Sequence, residues 1–91
     1  MILADAIPFR PQFQYQAGTA LIEINRSRQA INYLYRGARF APRDLNMLLA
    51  LSHALVLNGA TTQARDMLTR VLALDPTNAT AKRVLSQLDQ S

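Results

Sequence analysis

Apolar positions recur at helical spacing in five stretches of the chain, divided by short polar breaks. In the first, Phe13, Ala17, Ala20, Leu21 and Ile24 fall near one side and predict a helix over about 11–24. Pro11 suits its first turn, where a missing N–H costs little. Asn25 follows, at a place suited to the left-handed residue that ends a helix. Ala30, Ile31, Leu34 and Ala38 predict a second helix over 27–40, which Pro42 is poorly placed to continue.

A third pattern, with Leu45, Leu48, Leu49, Leu51, Ala54, Leu55 and Leu57, follows Asp44 as a candidate cap and stops at Asn58-Gly59. The fourth starts at Thr61 or Thr62 and reaches Leu74, with Ala64, Met67, Leu68, Val71 and Leu72 as its stripe. After the break at Asp75-Pro76, a fifth begins at Thr77 or Asn78 and carries Ala81, Val84, Leu85 and Leu88. Five helices with short turns is the expected architecture.

The stretches are not independent. Pro8, Pro42 and Pro76 stand 34 residues apart, and Ala20/Ala54, Leu21/Leu55, Ala30/Ala64 and Leu34/Leu68 keep the same interval. A period of this length marks a unit made of two helices. Such units stack because none can bury its apolar face alone, and the stack presents a curved surface to a partner. Small residues at Gly18, Ala20, Ala30, Ala54 and Ala64 are expected to let backbones approach, with Leu21, Leu34, Leu55 and Leu68 filling the space between.

These residues resemble the tetratricopeptide repeat pattern of small and large residues, a turn residue and a closing proline. The first unit matches at Ala17, Gly18, Ala20, Leu21, Asn25, Ala30, Leu34, Gly37 and Pro42. The second matches at Leu48, Leu51, Ser52, Ala54, Leu55, Gly59, Ala64, Leu68, Val71 and Pro76. The resemblance implies an all-α fold, an α-α superhelical solenoid of two hairpins plus a C-terminal capping helix. The units would span 11–44 and 45–78, with the solvating helix and tail over 79–91. Residues 1–10 are either an N-terminal cap or the remnant of a preceding repeat, since 3–8 share the register of 71–76. Departures fall at Gln14 for a large residue, Asn25 for glycine and Val71 for alanine.

In this family the first helices of successive units line a concave face that takes the ligand. Carried over by position, that face would hold Gln12, Tyr15, Thr19, Ile22 and Glu23 from the first unit. The second would supply Asn46, Leu49, His53, Val56 and Leu57, the last also a candidate for the core, and the final helix Thr80, Arg83 and Gln87. Helical geometry groups Tyr15, Thr19 and Ile22 independently, as it does Leu49, His53 and Val56. An apolar centre with polar surroundings suits an amphipathic helix or an extended peptide. The lysine, asparagine and arginine clamp that some family members use for C-terminal carboxylates is absent.

Composition narrows the alternatives. At 91 residues, 49% hydrophobic and 18% charged, the chain suits one globular domain. No apolar run is long enough to cross a bilayer, so membrane insertion is not expected, and the first residues do not form a secretory signal. With no cysteine, cytoplasm and periplasm are both compatible. The net charge of +4 comes mostly from arginine, and Arg26, Arg28, Arg36, Arg39 and Arg43 cluster. Few aromatics accompany them, so a solvated or protein-contacting surface is favoured over nucleic acid.

Catalytic chemistry has little to build on. His53 is the single histidine, and Ser52 beside it points about 100° away on a helix. There is no glycine-rich phosphate loop, and no cofactor or metal is expected. The expected role is a non-catalytic scaffold or adaptor that binds a protein or peptide in the concave groove, as a domain of its own or a module of a larger protein. The alternative is a self-association domain whose groove is filled in cis, by another copy, or by another domain of a parent protein.

Overall fold

The computed structural model describes residues 11–90. Within them are five helices: α1 (Pro11–Glu23), α2 (Ser27–Phe40), α3 (Leu45–Leu57), α4 (Thr61–Leu74) and α5 (Ala79–Gln90). α1, α3 and α5 begin 34 residues apart, as do α2 and α4, so the sequence period is also the structural one. Expectations for residues 1–10 lie outside the described residues.

One-residue chemistry at each break sets the helix ends. Asn25 has φ 64° and Gly59 φ 78°, both left-handed. At each, the paired backbone bonds of a Schellman stop are made. Asn25 N–H donates to Ile22 O and Arg26 N–H to Leu21 O, at 3.0 and 2.8 Å. Gly59 N–H and Ala60 N–H repeat this on Val56 O and Leu55 O. α1 therefore ends at Glu23, a residue earlier than its apolar pattern suggested.

The proline breaks repeat just as closely. Asp44 N–H donates to Ala41 O across Pro42, and Asn78 N–H to Asp75 O across Pro76. Asp44 then caps α3 by accepting from Met47 N–H at 3.2 Å, and Asn78 caps α5 by accepting from Ala81 N–H at 2.9 Å. Asn78, not Thr77, is the starting residue of the fifth helix; the Thr77 hydroxyl turns to the Asp75 carboxylate.

Consecutive helices pack side by side in a body of 42 × 26 × 17 Å. The core runs along the middle of the stack through Leu34, Met47, Leu48, Leu51, Leu55, Leu68 and Val71, all fully buried. Ala30 and Ala64 are also fully buried, and these small residues leave room for the leucines around them. Gly18 makes the tightest approach: a Cβ there would overlap Leu34 Cγ and lie 2.6 Å from Leu34 Cδ2. Ile31 and Leu72, expected in the stripes, are half-buried at the edge of this core.

Two expectations for α1 are corrected. Ala20 is exposed whereas Ala54, its partner in the repeat, is fully buried. Phe13 and Ile24, expected on the inward side, are 39% and 61% exposed. The cause is position in the stack. Ala54 shares a stripe with Met47, which meets α2 where a Cβ on Gly37 would come 2.5 Å from the Met47 sulfur. Among the described residues no second helix precedes α1, so none of them does for its matching stripe what α2 does for that of α3.

Candidate functional site: a groove across three first helices

α1, α3 and α5 are the first helices of successive periods, and their aligned faces form one open groove. Its volume is about 600 Å³. α1 contributes Tyr15, Thr19, Ile22 and Glu23, while α3 contributes Asn46, Leu49, Ala50, Ser52, His53 and Val56. α5 closes the third side with Thr80, Arg83, Val84 and Gln87.

The lining is layered. Tyr15, Ile22, Leu49, Ala50, Val56 and Val84 are half-buried and pack against the core, so they form an apolar floor. Glu23, Asn46, His53, Thr80, Arg83 and Gln87 are exposed around it. Two hydroxyls in the groove are already turned back on their own helices. Thr19 donates to Tyr15 O at 3.0 Å, and Ser52 donates to Leu49 O at 2.7 Å. The Ser52 hydroxyl proton is thus committed to its own helix and not to His53. The charges at the rim are one carboxylate, Glu23 on α1, and one guanidinium, Arg83 on α5; neither is in an ion pair among the described residues.

All but two of the positions assigned to the concave face by resemblance meet in this groove. Gln12 does not: it is exposed on the first turn of α1, outside the lining. Its period partners Asn46 and Thr80 each have an earlier first helix beside them, which Gln12 lacks among the described residues. Leu57, 52% exposed, is neither core nor groove. Position-by-position reasoning passed over Ala50, gave Ser52 only as a match to the repeat pattern, and placed Val84 only in the apolar pattern of the fifth helix. Ala50 and Val84 stand 34 residues apart, and that interval is the signal that places both in the floor. The five clustered arginines are all exposed and none lines the groove.

Among the described residues, no helix is long and apolar enough to cross a membrane. No curated protein matches the chain. The tetratricopeptide repeat family model matches residues 21–88, from the last turn of α1 to near the end of α5. That span carries the left-handed helix stops, both proline breaks and most of the stack already described. The chain belongs to the tetratricopeptide repeat family.

Proposed function

We propose that this protein is a non-catalytic scaffold or adaptor whose groove binds one amphipathic helical segment of a partner protein. Tetratricopeptide repeats generally mediate protein–protein interaction and are typically non-catalytic. One observation carries the finer reading. The groove joins a half-buried apolar floor to an exposed polar rim, the anatomy of a surface that gains by excluding water at its centre.

Charge complementarity specifies the occupant further. Its apolar stripe sits on Tyr15, Ile22, Leu49, Val56 and Val84. A basic residue faces Glu23 on the α1 side, and an acidic residue faces Arg83 on the α5 side. Apolar anchors supply affinity, while the two rim charges select the direction in which the helix lies.

Fluorescence anisotropy with two labelled peptides tests this. One is an amphipathic helix with leucines at i, i+3, i+4 and i+7, lysine towards one end and glutamate towards the other; the second has the charges placed on the wrong flank. The first should bind more tightly, and Tyr15→Glu with Leu49→Glu should abolish binding. Those two side chains also touch the core, so the exposed pair Glu23→Lys with Arg83→Glu provides the cleaner variant. It should reverse the preference between peptides with the far-UV spectrum unchanged. Equal binding of both peptides to the native groove, or a preference that survives the charge swap, would overturn the proposal.

A further inference from the structure

α2 turns Ala30, Leu34, Gly37 and Ala38 into the core and an arginine face outward. Arg28, Tyr35 and Arg39 lie within about 40° of one another on its far side, and Arg36 lies within about 80° of Arg28. The three arginines span about 16 Å of helix, and Arg26 and Arg43 extend the positive charge past its two ends. All five are exposed, and none is in an ion pair among the described residues.

The flanking acids are committed elsewhere: Glu23 stands at the groove, and Asp44 caps α3. Residues 1–10 hold one acid, Asp5, and one base, Arg10, so their side chains add no net charge. Two of the arginines stand where the fold itself disfavours them. Arg26 is the N-cap of α2 and makes no side-chain cap hydrogen bond, and Arg28 lies in the first turn, where a positive charge opposes the helix dipole. Nor does the repeat ask for them. One period on, Ala60, Thr62, Ala73 and Thr77 stand in place of Arg26, Arg28, Arg39 and Arg43, and only Arg36 has a basic counterpart, Arg70.

From this face we infer that α2 docks an acidic segment of a partner protein, with carboxylates set along the arginine line and an apolar side chain against Tyr35. A guanidinium matches a carboxylate with two parallel N–H donors. Tyr35, 42% exposed between Arg28 and Arg39, offers its ring for the apolar contact. A nucleic-acid strand is the poorer match. It carries charge along its whole length, whereas the basic line stops with α2, and its bases stack on a succession of aromatics where Tyr35 is the one ring on the line. The groove is lined by α1, α3 and α5 and not by α2, so this surface is separate and does not rest on the groove reading.

Fluorescence anisotropy at low salt tests the inference on the full chain with two labelled peptides of the same composition. In the first, glutamates at i, i+4, i+8 and i+11 share one helix face with a leucine at i+7; in the second they are scattered round the helix. The first should bind the native chain more tightly than the second, and should weaken as salt rises to about 0.5 M. Arg28→Gln, Arg36→Gln and Arg39→Gln together should weaken it about tenfold. The charge-matched control, Arg65→Gln with Arg70→Gln and Lys82→Gln, should bind as the native chain does. Unfolding gives an independent readout: the face variant should keep or raise the native midpoint, because Arg28 no longer opposes the dipole. Equal affinity for both peptides, native affinity in the face variant, or an equal loss in the control would overturn the inference. A lowered midpoint in the face variant would also overturn it and assign the arginines to packing. Tighter binding of a labelled oligouridylate, lost with the same three arginines, would assign the face to nucleic acid instead.

Discussion

Substitution of Gly18 by alanine should destabilise the protein even though it removes a glycine from the interior of a helix. A Cβ on Gly18 would overlap Leu34 Cγ and stand 2.6 Å from Cδ2 and 3.0 Å from Cδ1. Leu34 is fully buried, and Cγ is its branch point, not a free end that can swing aside. Either the leucine leaves its rotamer well or α1 moves off α2. Overpacking of this kind costs about 1–3 kcal/mol. The gain in helix propensity from glycine to alanine offsets about 1 kcal/mol of that. The expected net loss is up to about 2 kcal/mol, towards the upper end because the clash falls on a branch point, and each kcal/mol lowers the melting temperature by about 4–8 °C in a domain of this size.

Gly37 is the internal control. A Cβ there would lie 2.5 Å from both Sδ and Cε of Met47, the far end of an unbranched side chain that can turn away, and 3.2 Å from Gln14 Cβ, which has to give only by a few tenths of an ångström. Gly37→Ala should therefore fall within about 0.5 kcal/mol of the native chain, as overpacking and propensity nearly cancel. Urea unfolding followed by far-UV circular dichroism measures both variants. Leu34→Ala supplies the second check. It opens a cavity on its own, but in the Gly18→Ala background it also removes the clash, so the double variant should lose less than the two single losses added together. A Gly18→Ala chain as stable as the native one, or strictly additive losses, would refute the claim that Gly18 sets the distance between α1 and α2.

Two further sets of substitutions follow from the same geometry. Gln14 is 3% exposed, and its Oε1 has no hydrogen-bond partner among the described residues, so Gln14→Met should raise stability by about 1–2 kcal/mol in urea unfolding; no gain would mean that the oxygen is satisfied in solution. Gly59 has φ 78° and open space within 4 Å of where a Cβ would stand, so Gly59→Ala should cost about 1–2 kcal/mol through the backbone alone, while Asn25→Gly at φ 64° should be neutral or slightly stabilising in the same assay. The opposite order would reject the left-handed stops.

Helix existence and helix ends were legible in the sequence because each rests on short-range chemistry. Asn25 and Gly59 accept left-handed backbone, and Asp44 and Asn78 carry a side-chain oxygen to the first free N–H groups. Burial is a different kind of property, because it depends on what stands on the other side. Phe13, Ala17 and Ala20 read as one inward face by spacing, but spacing shows only that a stripe is apolar. α1 has two apolar sides: Leu21 and Gly18 turn towards α2, and the Phe13 line faces outward. Gln14 shows the converse. A polar residue that looked like a local departure from the repeat is almost fully buried, because the period fixes its place beneath α2 whatever its side chain.

The groove's rim and the Tyr15, Ile22, Leu49 and Val56 part of its floor were legible in the sequence, whereas Ala50 and Val84 were not. Asn46, Leu49 and His53 return one period later as Thr80, Arg83 and Gln87, so the lining could be followed along the chain by counting. Ala50 and Val84 obey the same count, yet a half-buried floor residue has the composition of the core it rests on, and pattern alone assigns it there. α5 resolves the ambiguity. It begins one period after α3, so it stands where the first helix of a third unit would stand. It therefore does two things at once: Ala81 seals the end of the core, and Arg83, Val84 and Gln87 complete the groove. A terminal helix that reads as a solvating lid is in this chain also the third wall of the candidate site, which is why two hairpins suffice to build it.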